Sequence, residues 1–261
     1  MHRPGIRHRH PRTTLAAATA LLSLTLLTAC GGSGGSGSGD AEGKDGDGTA
    51  TPTTAAVVEE ATPLTPAELE TASLTKADLD NYEVAEAPES DVSAAEAAKV
   101  TGEDCAPAGR TIAGAALGTA DATTHRRFTG GAADASDYLN INTGMVTLAS
   151  YPSAADAAAA LKTLGDAVTA CADGFEWTIG GEKLTATEVT EDTAPDAGDE
   201  AVAFTVVSPV EGVDAPWKGL VFREGATLAH YSLVNAAAVD SGKDAPFPAV
   251  LVTAQADKLR G

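Results

Sequence analysis

Alternating apolar runs in the middle of the chain, helix-period segments on either side and a pair of cysteines predict an α+β domain. The expected fold is an antiparallel β-sheet with helices packed on one face and one disulfide. The sheet is expected from runs at 175–179, 183–189, 201–207, 217–223 and 227–235. The helices are expected from capping residues followed by apolar positions spaced three or four apart.

Taken in order, residues 66–79 read as one or two short helices. Asp104 stands as the N-cap of another helix, with Cys105, Ile112 and Ala116 along one stripe. Leu139 and Ile141 alternate with Asn140 and Asn142, and Val146 and Leu148 then alternate in the opposite parity. That flip predicts a bulge or tight turn around Gly144. Ser153 is an N-cap with Asp156 in the capping-box position. The helix it opens runs to about Ala172 and stops before Gly174. Ala157, Leu161, Leu164, Val168 and Cys171 share one face of it. Glu224-Gly225 turns the last two strands into a hairpin, with Val221 facing Leu228 and Gly219 facing His230. The acidic run 191–200 reads as a solvated hairpin loop, and Pro246 and Pro248 open a C-terminal helix carrying Phe247, Val250, Leu251 and Ala254.

The front of the chain is of a different kind. Arg3, Arg7, Arg9 and Arg12 form a basic start, residues 15–28 are apolar and small, and Leu27-Thr28-Ala29-Cys30 follows. The apolar stretch is shorter than the ~20 residues a spanning helix needs, and it lacks the adjacent arginine pair of a twin-Arg signal. The arrangement resembles a bacterial lipoprotein signal ending in a lipobox. The resemblance implies cleavage after residue 29, acylation of Cys30 with palmitate-type chains, and a cell-membrane, lipid-anchored protein on the extracytoplasmic side. One acyl chain holds only weakly, so diacylation or triacylation is what makes the attachment firm. Residues 1–29 are thus expected to be a signal peptide, 30–63 a lipidated cysteine with a disordered Gly/Ser/Asp-rich tether, and 64–261 the extracellular domain. A flexible tether of ~30 residues reaches about 30 Å. Asp45 and Asp47 have the spacing that opens a calcium loop, but Ala50 and Ala56 stand where the loop needs Gly and Glu, so no metal site is expected.

With Cys30 acylated, Cys105 and Cys171 remain, and two cysteines in an exported domain are expected to pair. The alternative, a redox or metal pair, has neither a CxxC spacing nor a nearby histidine to support it. The chain holds 17 basic and 37 acidic residues, a net charge of −20, and loss of the leader arginines carries the exported form to near −24. Such a surface repels nucleic acid and anionic headgroups and leaves cationic partners or plain solubility. Beyond the leader only His125 and His230 are left as histidines, HExxH is absent, and no GxSxG elbow appears, the match at Gly31–Gly35 lying in the Gly/Ser tether. Serine-hydrolase and zinc-protease chemistry therefore finds no motif to support it, and neither catalysis nor a cofactor is expected. Chance pairs of carboxylates remain among so many acids.

Candidate binding residues are Trp217, His230, Arg126 and Arg127. Trp217, Val221, His230 and Ser232 share one side of the last hairpin, opposite Leu220, Phe222, Ala229, Tyr231 and Leu233 on the core side. On a helix-free face Trp217 and His230 form a recognition patch; under a loop or strand they are ordinary packing. His125-Arg126-Arg127 is the basic cluster of an acidic domain. It fits an anionic ligand, or it pairs with surface acids and guards a strand edge.

Residues 146–171 run strand, Tyr-Pro-Ser turn, Ala-rich helix and Cys, and Ser73-Leu74-Thr75 precedes Asp78-Leu79 and Tyr82. This resembles the PknH-like extracellular sensor domain of actinobacterial receptor Ser/Thr kinases and related lipoproteins, over about residues 74–259. Members often carry Trp three residues before the Cys, where this chain has Val168, and the kinase-linked domain has two disulfides where this chain has cysteines for one. The resemblance implies a sheet with a ligand cleft and no catalytic motif. Two functions follow. One is a lipid-anchored sensor module that captures a small molecule in an apolar cleft. The other is an envelope protein-interaction or structural lipoprotein without such a ligand, working through an exposed patch.

Overall fold

A computed structural model describes residues 62–132 and 139–261. The leader, Cys30, the Asp45–Asp47 pair and the tether up to residue 61 lie outside the described residues. The described residues all belong to one compact unit, Ala56–Gly261.

The elements run α1 (Pro66–Ala72), β1 (Tyr82–Glu86), α2 (Glu89–Glu96), β2 (Lys99–Val100), α3 (Ala106–Ala113), β3 (Ala122–Gly130), β4 (Asn142–Ser150), α4 (Ala154–Ala170), β5 (Phe175–Ile179), β6 (Glu182–Ala186), β7 (Glu188–Asp192), β8 (Glu200–Val210), β9 (Val213–Glu224), β10 (Thr227–Asn235), α5 (Ala236–Ser241) and α6 (Ala249–Arg260). A seven-stranded antiparallel sheet, ordered β1-β3-β4-β10-β9-β8-β7, forms the middle layer. A small sheet, β2-β5-β6, stands beside it. Fold class and disulfide are as the sequence predicts.

The helices, however, cover both faces of the main sheet. Leu69 of α1 and Leu251, Val252 and Ala256 of α6 pack on Phe128, Val146, Leu148, Leu220, Phe222 and Tyr231. On the opposite face α3, α4 and the small sheet pack on Ala149, Phe204, Val206, Val221 and Leu228. The reason lies in the central strands. Both parities of β9 and β10 are apolar, and eight of the nine residues of β10 are buried, so one covering layer leaves half of that surface wet. Full burial of a Leu, Val or Phe is worth about 1.5–3 kcal/mol, which favours covering both sides.

The cap of α4 is as expected: the Ser153 hydroxyl oxygen accepts from Asp156 N at 3.1 Å. Its inward face carries Ala157, Leu161, Leu164 and Val168 to Cys171, which bonds Cys105 with a Cα–Cα distance of 5.7 Å. The start of α3 departs from expectation. Asp104 lies in a 3-10 turn, Glu103–Cys105, and Cys105 holds the N-cap position without a side-chain cap. Pro107 in the first turn has no N–H to be capped, which lessens the need for one. The expected strand 183–189 breaks at Thr187 into β6 and β7, which belong to different sheets.

The expected bulge at Gly144 is absent. β4 pairs in unbroken register through Gly144, opposite Phe128 on β3 and Leu233 on β10. The glycine serves close packing, since a Cβ there would meet the Ser232 carbonyl oxygen at 2.1 Å. The β9–β10 turn sits one residue later than expected, at Gly225-Ala226, with Gly225 at φ 56°. His230 therefore faces Val221, and Gly219 faces Ser232. This shift of two in pairing preserves which residues share a face.

A candidate binding groove

The register lays side chains of four neighbouring strands in rows on the α3 face. One row runs Arg127, Met145, Ser232 and Gly219; the next runs Thr129, Thr143, Val234 and Trp217. Where α3 ends, these rows border a groove of about 310 Å³, lined chiefly by Ile112, Ala113, Met145, Ile179, Trp217 and Val234. Ligand pockets begin near 300 Å³, so this one suits a small molecule. Asp91 and Ala94 of α2 close one side. Gly114 caps α3 in the left-handed conformation, φ 87°, and Met145 lies so near that a Cβ on Gly114 would meet its Cε at 2.1 Å. The glycine thus ends the helix and admits the methionine that forms the groove floor.

Two of the four candidate residues meet here. Trp217 and Arg127 both line the groove. Arg127 Nη1 stands 3.2 Å from Asp91 Oδ2, with both side chains partly exposed. The Trp217 indole N–H is closed off from water and has no acceptor among the described residues.

The other two are placed elsewhere. Arg126 alternates to the opposite face of β3, where its buried guanidinium pairs with Glu70 of α1. The Arg126 guanidinium and the Thr124 hydroxyl, both donating to Glu70, hold that carboxyl below its usual range. Adjacent positions in a strand point to opposite faces, so Arg126 and Arg127 do not form one basic patch; each meets an acid of its own. His230 shares a face with Trp217, but that face is not helix-free. The imidazole is fully buried, and neither ring nitrogen has a hydrogen-bond partner among the described residues. Burial, and secondarily the proximity of His125, pushes its pKa down to about 3.

Met145, Ile112, Ile179 and Asp91 were not among the candidate site residues read from the sequence. Met145 lies in register with Arg127, so pairing β3 with β4 would have found it. Ile179 closes the alternating run 175–179, which reads as a strand but not as part of a site, and Asp91 comes from α2, whose eight residues bury Ala95 alone and give no periodic signal. Among the described residues no cluster of His, Cys, Asp or Glu is arranged to hold a metal, and no helix is long and apolar enough to cross a membrane.

No protein-family model matches the chain, and no curated protein matches it. Among solved structures it is similar to the extracellular domain of PknH from Mycobacterium tuberculosis, with a TM-score of 0.49 and 10% identity, covering 76% of this chain and 98% of that one. Function is left to be read from the groove and its residues.

Proposed function

We propose that this chain is an extracytoplasmic lipoprotein, held on the cell membrane by acyl groups on Cys30, whose domain binds a small molecule in the groove without transforming it. The observation that carries the reading is the groove itself: an apolar wall with Trp217 at one end and a charged pair, Arg127 and Asp91, at the other. Concave apolar sites with a few convergent polar groups are the usual form of ligand pockets. An interaction protein working through its surface would instead present an exposed apolar patch. The large apolar side chains exposed among the described residues are Leu139 and Val250, which gives less support to that alternative.

The test is native against denaturing mass spectrometry of the protein isolated from its own envelope, alongside an Ala94→Trp variant that fills the groove. An added mass that leaves on denaturation, and that Ala94→Trp lacks, is the expected result. A bare domain in both would move the reading to a protein-interaction role.

A further inference from the structure

With the groove taken as a binding site, the reading on which this inference rests, its two ends differ in the hydrogen-bonding capacity they have left. Asp91 is engaged at both oxygens: Oδ1 accepts from the Ser90 hydroxyl at 3.3 Å and Oδ2 faces Arg127. Arg127 uses Nη1 alone, and its Nε and Nη2 have no acceptor among the described residues. The Thr143 hydroxyl pairs with Thr129 at 3.1 Å, and the Ser232 hydroxyl donates to the Ile112 carbonyl. The Trp217 N–H has no acceptor among the described residues but is shut away from the groove's solvent. Asp91 keeps acceptor capacity, since each carboxylate oxygen can accept more than one bond, but its charge already faces Arg127, whereas the Arg127 Nε and Nη2 donors at this half-exposed end are without a partner among the described residues. From there to the Trp217 ring the wall offers Met145 and Val234, with the Thr143 and Ser232 hydroxyls engaged by Thr129 and the Ile112 carbonyl.

The distance between those ends sets a length. Arg127 is on β3 and Trp217 on β9, with β4 and β10 between them, and three strand spacings of ~4.8 Å come to about 14 Å. An extended ten-carbon chain is of comparable length. The net charge of −20 favours cations at a distance, but it is screened beyond about 8 Å at physiological salt, whereas contact with a guanidinium is not.

We propose that the groove binds an elongated amphiphilic monocarboxylate, its carboxylate on Arg127 and its apolar body across β4 and β10 toward Trp217. A guanidinium and a carboxylate form the charge-assisted pair that a neutral or cationic head cannot.

The experiment uses the chain from residue 31 onward, which contains the whole compact unit, with Cys105–Cys171 oxidised. Decanoate, decanol and decyltrimethylammonium are titrated below micelle-forming concentrations, read by calorimetry and tryptophan fluorescence. Decanoate is expected to bind at least about tenfold more tightly than decanol, the size of one charge-assisted hydrogen bond, and the ammonium more weakly than either. Arg127→Gln should bring decanoate to the level of decanol. Asp91→Asn, which frees Arg127 of its competitor, should tighten decanoate several-fold. Both residues are partly exposed, and thermal melts confirm that the variants fold. Equal binding of the three probes, or preference for the ammonium, overturns the carboxylate assignment and leaves the groove as a site. Failure of all three to bind, with an added mass still found on the native protein, has the same meaning. Decanoate binding that Ala94→Trp does not weaken overturns the assignment and counts against the groove itself.

Discussion

His230 shows how a residue type that invites a functional reading becomes a structural one when its surroundings are known. An imidazole on the same strand face as a tryptophan has the composition of a recognition patch. The burial of that face under α3 and α4 makes it a neutral core side chain, with a pKa pushed down to about 3. The consequence for stability has a definite sign. In the unfolded chain the ring takes up a proton below about 6.5, while the folded protein resists protonation until about pH 3. The unfolded state therefore binds more protons across that window, and stability falls as pH drops through it. At pH 4 the loss attributable to His230 is about 3 kcal/mol, at about 1.36 kcal/mol per pH unit below 6.5. Urea unfolding across pH 4–7 should give a steeper acid decline for the native chain than for His230→Gln. Equal slopes would mean the ring is hydrated or able to charge in place. Arg126 teaches the same lesson: adjacency to Arg127 in sequence reads as a cluster, but strand alternation puts the two on opposite layers.

At the scale of elements, the disulfide joins the start of α3 to the end of α4 across a separation of 66 residues. It belongs to the layer that bounds the groove, since Ile112 and Ala113 at the far end of α3 are part of the wall. For a loop of that length the chain-entropy model gives ~4 kcal/mol. Cys105→Ser with Cys171→Ser should lower the urea midpoint by about 2 M, for an m-value near 2 kcal/mol/M. A shift below about 0.5 M would show that the reduced unfolded chain is already held compact. The long, strongly patterned elements were legible from sequence: the Ser153-capped helix, the hairpin of β9 and β10, and the C-terminal helix. Those missed are short or weakly patterned. β1 has five residues and gains its place by pairing with β3, α2 buries one alanine, and α5 is a six-residue helix capped by Asn235.

For the whole molecule, the proposed lipid anchor rests on Cys30 and is tested there. Replacing Cys30 by alanine in the native host should abolish incorporation of labelled palmitate into the protein and change its release from the membrane fraction. Palmitate label that persists in Cys30→Ala would remove the lipobox reading.

Local spacing and composition were enough to foresee the pairing of Cys105 with Cys171, the α+β class and which residues share a strand face. Alternation with a period of two survives even a shift in hairpin register, which is why the face assignments on β9 and β10 held although the turn moved. The covering of each face, the need for glycine where β4 meets β10, and the meeting of candidate residues came from the folded arrangement alone. Those outcomes depend on contacts between residues far apart in the chain: Arg127 with Asp91 and Trp217 at one groove, Arg126 with Glu70 on the other side of the sheet. Both parities of the central strands are apolar, so local pattern cannot say that each has a layer packed against it.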